Sequence, residues 1–127
     1  MANEPNKKKT VLIVEDEKNI ARAEGIILSK DFSVHYAEDG EEALVMAKKV
    51  IPDLIILDLM LPKRGGYDVC FTLRQSPELK DVKIIMVTAK NLEVDKKKGK
   101  FIGADFYITK PFEPDDLRSA VKQVLSE

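Results

Sequence analysis

Carboxylate, hydroxyl and ammonium side chains follow the short apolar runs of this sequence: Glu15, Asp16, Asp58, Thr88 and Lys110. Two carboxylates about 4 Å apart repel each other by roughly 4 kcal/mol at an effective dielectric constant near 20. A hard divalent cation relieves that repulsion, and Mg²⁺ suits a site with few carboxylates and several waters. We therefore expect Asp16 and Asp58 to hold Mg²⁺ and Lys110 to supply a second, fixed positive charge.

Two nucleotide-binding motifs are missing from the sequence. No G-x-G-x-x-G follows the first apolar run, which disfavours dinucleotide binding, and no G-x-x-x-x-G-K-[ST] indicates a P-loop hydrolase. The chemistry that remains is attack by a carboxylate on phosphorus, which gives an aspartyl phosphate. Phosphoryl transfer depends mostly on positioning and electrostatics. Asp58 is the expected nucleophile, and Lys110 and Thr88 are expected to contact phosphoryl oxygens.

Buried strands must position these groups. Runs that are short, β-branched and apolar without alternation predict strands buried on both faces: Val11–Val14, Leu54–Leu57 and Ile84–Val87. Two mixed runs, Ser33–Ala37 and Asp105–Ile108, predict edge strands.

Helical patterns fill the gaps between the strands. Their apolar stripes and end signals predict five helices: Ile20, Ala23, Ile27 and Leu28 in the first; Ala43, Leu44, Ala47 and Ile51 in the second; Val69, Cys70 and Leu73 in the third; a start at Asn91 and an end at Gly103 in the fourth; and Pro114, Leu117, Ala120, Val121 and Val124 in the fifth.

Strand–helix alternation five times over predicts an α/β fold with a parallel sheet between two helical layers. Right-handed crossovers favour a flavodoxin-like (βα)5 three-layer sandwich with strand order 2-1-3-4-5. In such sheets the active crevice lies beyond the carboxyl ends of the strands, where the polar groups fall.

Length and composition indicate one domain. The chain has 127 residues, and we expect a flexible tail over 1–9 and one folded domain over 10–127. A net charge of −1 argues against a direct electrostatic grip on nucleic acid. One cysteine allows no intrachain disulfide, and no apolar run approaches the ~20 residues of a membrane span. We expect a cytoplasmic protein without membrane contact.

In combination, four motifs resemble the receiver domain of a two-component response regulator (CheY-like): Val14-Glu15-Asp16; Asp58-Leu59-Met60-Leu61-Pro62 with Gly66 beyond; Val87-Thr88-Ala89; and Lys110-Pro111-Phe112. The resemblance covers Thr10 to Leu125. It implies a signalling switch rather than an enzyme, with chemistry limited to self-phosphorylation and autodephosphorylation.

The resemblance also implies residue roles. Asp58 matches the phosphoacceptor, and Asp16 matches a direct Mg²⁺ ligand. Glu15 stands where many members have Asp, and it is expected to act on the metal through water. Met60 is expected to offer its backbone carbonyl to the metal. Tyr107 matches the aromatic partner of the Thr88 switch, and Lys110–Pro111 matches a cis peptide bond.

The implied phosphodonor is a sensor histidine kinase or a phosphotransfer protein. The implied output is a downstream protein or a fused output domain, reached through the face of the fourth helix, the fifth strand and the fifth helix. The lysines of the fourth helix are interpreted as a solvated face: Lys96, Lys97, Lys98 and Lys100. His35 and Cys70 are assigned no chemistry.

Two other functions stay open at this stage. One is a receiver-like scaffold that is never phosphorylated. The other is an aspartate-nucleophile phosphatase, which typically needs a second Asp two places after the nucleophile as general acid. Met60 occupies that place, which argues against turnover.

Overall fold

The computed structural model describes residues 8–89 and 103–126. Strands and helices follow one another along these residues: β1 (Thr10–Val14), α1 (Lys18–Leu28), β2 (Ser33–Ala37), α2 (Gly40–Val50), β3 (Leu54–Asp58), α3 (Gly66–Gln75), β4 (Lys83–Ala89), β5 (Phe106–Lys110) and α4 (Pro114–Leu125). All strand pairs are parallel and the order is β2-β1-β3-β4-β5, which confirms the predicted topology. The predicted helix from Asn91, with its lysines, lies outside the described residues, as does most of the predicted tail.

Apolar side chains cover both faces of the sheet, as the unbroken apolar runs predict. In β1, Leu12 and Val14 belong to the core under α2 and α3, whereas Val11 and Ile13 belong to the core under α1 and α4. All four are buried. Since full burial of such a side chain stabilises a fold by about 1.5–3 kcal/mol, the central strands are fixed firmly and so are their carboxyl ends.

The buried face of α1 differs from the predicted stripe. The helix buries Ala21, Glu24, Gly25 and Leu28, whereas Ile20 and Ile27 are only half-buried and Ala23 is exposed. The ring of Tyr36 occupies the space that a Cβ on Gly25 would need. The prediction holds for Leu28, and Ile27 packs against the core under α1 and α4, but it is wrong for the exposed Ala23. The bare backbone at Gly25 lets Tyr36 pack against this side of the helix.

Local signals fix the ends of the other helices. The Asp39 side chain accepts a hydrogen bond from the Glu42 amide at 2.8 Å and so caps α2. Glu113 and Asp116 form a reciprocal capping box at the start of α4, and Pro114 takes the first turn, as predicted. None of the helices within 8–89 and 103–126 is long and apolar enough to cross a membrane.

Arg74 ties the end of α3 to the approaches of β4 and β5. Its guanidinium donates to the Gly103 carbonyl from Nε at 3.1 Å and from Nη2 at 2.6 Å. It also donates to the carbonyls of Lys80 and Val82 and pairs with Asp105 at 3.0 Å. The same Asp105 oxygen accepts the Ile84 amide at 2.7 Å. One side chain therefore sets where β5 enters the sheet.

Replacing Arg74 with Met is expected to destabilise the fold by about 3 kcal/mol, because it leaves several partly buried acceptors without a donor. Urea denaturation measures the change. Arg118→Met is the matched control, since Arg118 is 54% exposed and pairs with Asp115 on its own helix. The control is expected to cost under about 0.5 kcal/mol. Equal losses in the two variants would contradict a special role for Arg74.

Candidate functional site

The carboxyl ends of the central strands bring the predicted site residues together. Glu15 directly follows β1, Asp58 ends β3, Thr88 lies in β4 and Lys110 ends β5. Asp58 is in register with Val87, which places β3 and β4 side by side at this edge. The strand prediction was short at β5, which runs on to Lys110 rather than ending at Ile108.

Glu15, Asp16 and Asp58 form an acidic trio. One oxygen from each carboxylate lies within 4.8 Å of the others. Glu15 and Asp58 are buried and Asp16 is exposed, so the trio opens to solvent on one side. Hard carboxylate oxygens, partly accessible to water, suit a divalent cation such as Mg²⁺. The residues present therefore fit the metal that the sequence predicts.

Lys110 contacts two members of the trio. Its ammonium lies 3.1 Å from Asp58 Oδ2 and 3.3 Å from Glu15 Oε1. Burial alone would lower the pKa of Lys110, but the hydrogen bonds and charges of Asp58 and Glu15 raise it. The ammonium therefore stays charged and compensates part of the negative charge at the strand ends.

Backbone amides hold the two buried carboxylates. The Met60 amide donates to Asp58 Oδ1 at 3.0 Å, and the Glu17 amide donates to Glu15 Oε2 at 3.2 Å. Burial, followed by the negative charge of Asp58, raises the pKa of Glu15 to about 7. The Glu17 amide and the Lys110 ammonium oppose that rise. The surroundings of Glu15 therefore bring its pKa close to neutral pH.

Gly66 allows the loop after β3 to fold closely over Asp58. A Cβ at this position would lie 2.7 Å from the Asp58 carbonyl oxygen and 2.8 Å from the Leu59 Cα. The Gly66 amide donates to the Leu59 carbonyl at 3.0 Å. The start of α3 can pack against the site because position 66 carries no side chain.

Thr88 and Tyr107 lie on neighbouring strands. Thr88 is buried, and its Oγ1 has no hydrogen-bond partner within the described part of the chain. Tyr107 lies next to Met86 in the sheet and packs, half-buried, against the core under α2 and α3. Thr88 therefore brings a buried hydroxyl to the edge of the sheet at which Asp58 ends β3.

Two further sequence predictions concern the backbone. The Lys110–Pro111 peptide bond is cis, as the resemblance implies. The side chain of Met60 is 73% exposed, so its thioether points away from the core and leaves its main chain beside Asp58. The use of the Met60 carbonyl as a metal ligand stays a prediction.

Neither His35 nor Cys70 belongs to the site. His35 lies in β2 at the edge of the sheet. Cys70 is buried in the core under α2 and α3, and burial raises the pKa of its thiol. Packing explains Cys70, since the thiolate is the reactive form of cysteine.

Sequence reasoning missed Glu24. It is buried on the inner face of α1, and it lines a cavity of about 870 Å³ together with Asp58 and Lys110. Apolar side chains form much of the remaining wall: Ile20, Ala23, Ile27, Met60, Phe112 and Pro114. The available signal was its spacing, because Glu24 falls four residues from both Ile20 and Leu28 and hence among the apolar positions of the helix.

Comparison with known proteins identifies the family. The family model described as the response regulator receiver domain matches residues 11–122. The alkaline phosphatase synthesis transcriptional regulatory protein PhoP of Bacillus subtilis is 45% identical over 118 residues, which cover 92% of this chain and 48% of PhoP. The protein of Porphyra purpurea named "probable transcriptional regulator ycf27" is 42% identical over 121 residues, covering 94% of this chain and 49% of its own length. The chain thus spans about half the length of these curated relatives.

Solved structures share the fold. The Vibrio cholerae chemotaxis protein CheY4 is 31% identical with a TM-score of 0.88, over 92% of this chain and 98% of CheY4. The receiver domain of the sensor histidine kinase PA1611 from Pseudomonas aeruginosa is 26% identical with a TM-score of 0.86. That similarity covers 94% of this chain and 99% of the PA1611 domain, which was solved with a magnesium ion coordinated in its active-site cleft.

Proposed function

This chain belongs to the response regulator receiver domain family, and on that premise we propose that Asp58 is its phosphoacceptor. The observation that carries the proposal is the setting of Asp58: a buried carboxylate in an acidic trio, 3.1 Å from a lysine ammonium. A carboxylate oxygen of Asp58 forms a bond to phosphorus. The bond between phosphorus and the donor breaks, and the donor group leaves with the electron pair.

The proposed cofactor is Mg²⁺. Asp16 and Asp58 would hold it directly, Glu15 through water and Met60 through its carbonyl oxygen. When bound, the ion neutralises charge that develops on the phosphoryl oxygens. Lys110 and Thr88 complete the cradle from β5 and β4. Donors that face the phosphoryl oxygens would stabilise the negative charge that develops during transfer.

The proposed response begins at Thr88. Its buried hydroxyl lacks a partner in the described residues, so a phosphoryl oxygen on Asp58 is the acceptor that satisfies it. A shift of Thr88 toward that oxygen changes the packing beside Tyr107 on β5. The surface formed by β5, α4 and the predicted helix from Asn91 is the proposed read-out face. Moving such an equilibrium from mostly off to mostly on takes roughly 5.5 kcal/mol of differential stabilisation.

The proposed donor is a sensor histidine kinase or a phosphotransfer protein in the cytoplasm. The proposed target is a separate protein or an output domain fused to the receiver, since PhoP is a transcriptional regulatory protein about twice as long as this chain. Met60 argues against a phosphatase with repeated turnover. It stands two positions after Asp58, where such an enzyme needs a general acid, and a thioether cannot act as one.

A small acyl phosphate tests the proposal without knowledge of the partner. Wild-type protein incubated with Mg²⁺ and the donor is expected to gain one phosphoryl group by intact mass, labile to hydroxylamine and absent when EDTA is present. Peptide mapping is expected to place the group on Asp58. An unmodified protein that is folded and binds Mg²⁺ would contradict the proposal and favour the scaffold. Steady donor consumption without an adduct would favour the phosphatase.

A further inference from the structure

Glu24 is an acid where the fold calls for an apolar residue. It is 2% exposed, and its Oε2 is buried without a hydrogen-bond partner in the described residues. Its neighbours on the buried face of α1 are Ala21, Gly25 and Leu28. A buried carboxyl oxygen without a partner destabilises a fold, so its presence points to a partner that arrives in another state.

The Glu24 side chain points toward the end of the helix that lies next to the acidic trio. Glu24 lies fewer than two turns from the start of α1, and that start follows Glu15 and Asp16 in the chain. Helical side chains lean toward the amino end of their helix, so the Glu24 carboxyl leans toward the trio. Burial, followed by the charge of Glu15, raises the pKa of Glu24 to about 8, and the charge of Lys110 opposes that rise. Glu24 and Lys110 therefore interact across the cavity they share.

A cation bound at the acidic trio would compete with the Lys110 ammonium for the same carboxylate oxygens. Its ammonium occupies oxygens of Glu15 and Asp58, and both carboxylates belong to the trio that fits a divalent cation. Two cations cannot share these oxygens without strong repulsion. The four-carbon stem of lysine lets the ammonium move within the cavity. It then needs another acceptor, and Glu24 Oε2 is a spare acceptor on the cavity wall.

We propose that Glu24 is a positioning residue that acts through Lys110: its carboxyl accepts the Lys110 ammonium when a divalent cation occupies Glu15, Asp16 and Asp58. This inference rests on the proposed function, because it assumes that the trio binds such a cation. Glu24 thereby favours binding of the divalent cation without contacting it. It also keeps Lys110 inside the cavity, ready for a phosphoryl oxygen.

The test is Mn²⁺ binding, measured at pH 7 by the electron paramagnetic resonance signal of the free ion. Glu24→Leu is expected to weaken Mn²⁺ binding about tenfold, the value of one charge-assisted hydrogen bond. Glu24→Gln keeps a carbonyl oxygen and is expected to bind with intermediate affinity. Lys110→Met removes the competing ammonium and is expected to bind more tightly than wild type.

The double variant decides whether Glu24 acts through Lys110. In the Lys110→Met background, Glu24→Leu is expected to change Mn²⁺ affinity by less than about twofold. An undiminished effect in that background would overturn the proposal, since Glu24 would then act on the cation directly. Equal affinities of wild type and Glu24→Leu would overturn it as well. Urea denaturation confirms that each variant is folded.

The proposed function can fail separately. Wild-type protein that binds Mn²⁺ but gains no phosphoryl group from the acyl phosphate would refute Asp58 as the acceptor and leave the Glu24 result intact. Phosphorylation of wild type together with a Glu24→Leu variant of unchanged Mn²⁺ affinity would refute only the role of Glu24.

Discussion

Asp58→Asn is expected to take up phosphoryl groups from an acyl phosphate roughly a thousandfold more slowly than wild type, or not at all, because an amide is a poor nucleophile. Asparagine keeps the size of the side chain. Its carbonyl oxygen can accept the Met60 amide that Asp58 Oδ1 now accepts at 3.0 Å. The loss therefore measures the missing nucleophile rather than a rearranged loop. Intact mass, followed over time in Mg²⁺, measures the rate.

The same substitution also changes Glu15. The negative charge of Asp58 is the second cause of the raised pKa of Glu15, after burial. Without that charge, the pKa of Glu15 is expected to fall, and Lys110 keeps Glu15 as its remaining partner in the trio. We therefore expect Asp58→Asn to be at least as stable as wild type at neutral pH. A loss of labelling in this variant is then not a loss of folding.

Asp68→Asn is the matched control for the labelling experiment. Asp68 lies on α3, is half-exposed and pairs with Arg64 at 3.0 Å, outside the trio. The control is expected to label at the rate of wild type. An adduct that persists on Asp58→Asn, or that disappears with Asp68→Asn, would place the acceptor elsewhere and would remove Asp58 from the proposed role.

The strands and their carboxyl ends were predictable because burial on both faces leaves an unmistakable apolar run. Val11–Val14 and Leu54–Leu57 fix β1 and β3, and chain connectivity then places Glu15 and Asp58 at one edge. That arrangement follows from parallel strands alone. For this reason the sequence alone predicts that Asp16 and Asp58 lie at the same edge of the sheet.

The orientation of α1 was not predictable in the same way. A helix whose apolar residues extend around much of its surface can present either of two overlapping faces. Whether Gly25 or Ala23 is buried depends on Tyr36, which lies in β2 and packs against Gly25. Glu24 was missed for the same reason, since a charged residue is assigned to solvent until a tertiary contact shows otherwise. The β5 boundary was short because Thr109 and Lys110 are polar, although their backbone pairs with β4.

Wild-type stability is expected to fall between pH 7 and pH 8, and Glu24→Gln is expected to remove most of that fall. Glu24 has an ordinary pKa of 4.5, which the folded protein raises to about 8 through burial and then the charge of Glu15. The native state therefore binds a proton that the unfolded chain releases. Its contribution to stability is complete below about pH 4.5 and is lost as the pH rises through about 8.

The size of the effect follows from the same linkage. Each unit of pH between the two pKa values costs about 1.4 kcal/mol, so Glu24 accounts for about 4 kcal/mol between pH 5 and pH 8. Glu15 adds a loss in the same direction, and this loss fades as the pH rises above the Glu15 pKa of about 7. Among the described groups whose pKa shifts, Asp39 and Glu78 titrate below this range and Cys70 and Lys110 above it. Glu24 therefore accounts for most of the loss of stability between pH 7 and pH 8.

Urea denaturation at half-unit steps from pH 5 to pH 8.5 measures both curves. The charged groups that interact with Glu24 are Glu15 beyond β1, Asp58 on β3 and Lys110 on β5, and Glu24→Gln leaves all three in place. Glu41→Gln, on an exposed face of α2, is the control and is expected to follow wild type. Parallel curves for wild type and Glu24→Gln between pH 7 and pH 8 would show that Glu24 is already ionised at neutral pH. An ionised Glu24 would bind the Lys110 ammonium even before a metal arrives. Lys110 would then not need to move from Glu15 and Asp58 to Glu24 on metal binding, which would contradict the proposed role of Glu24.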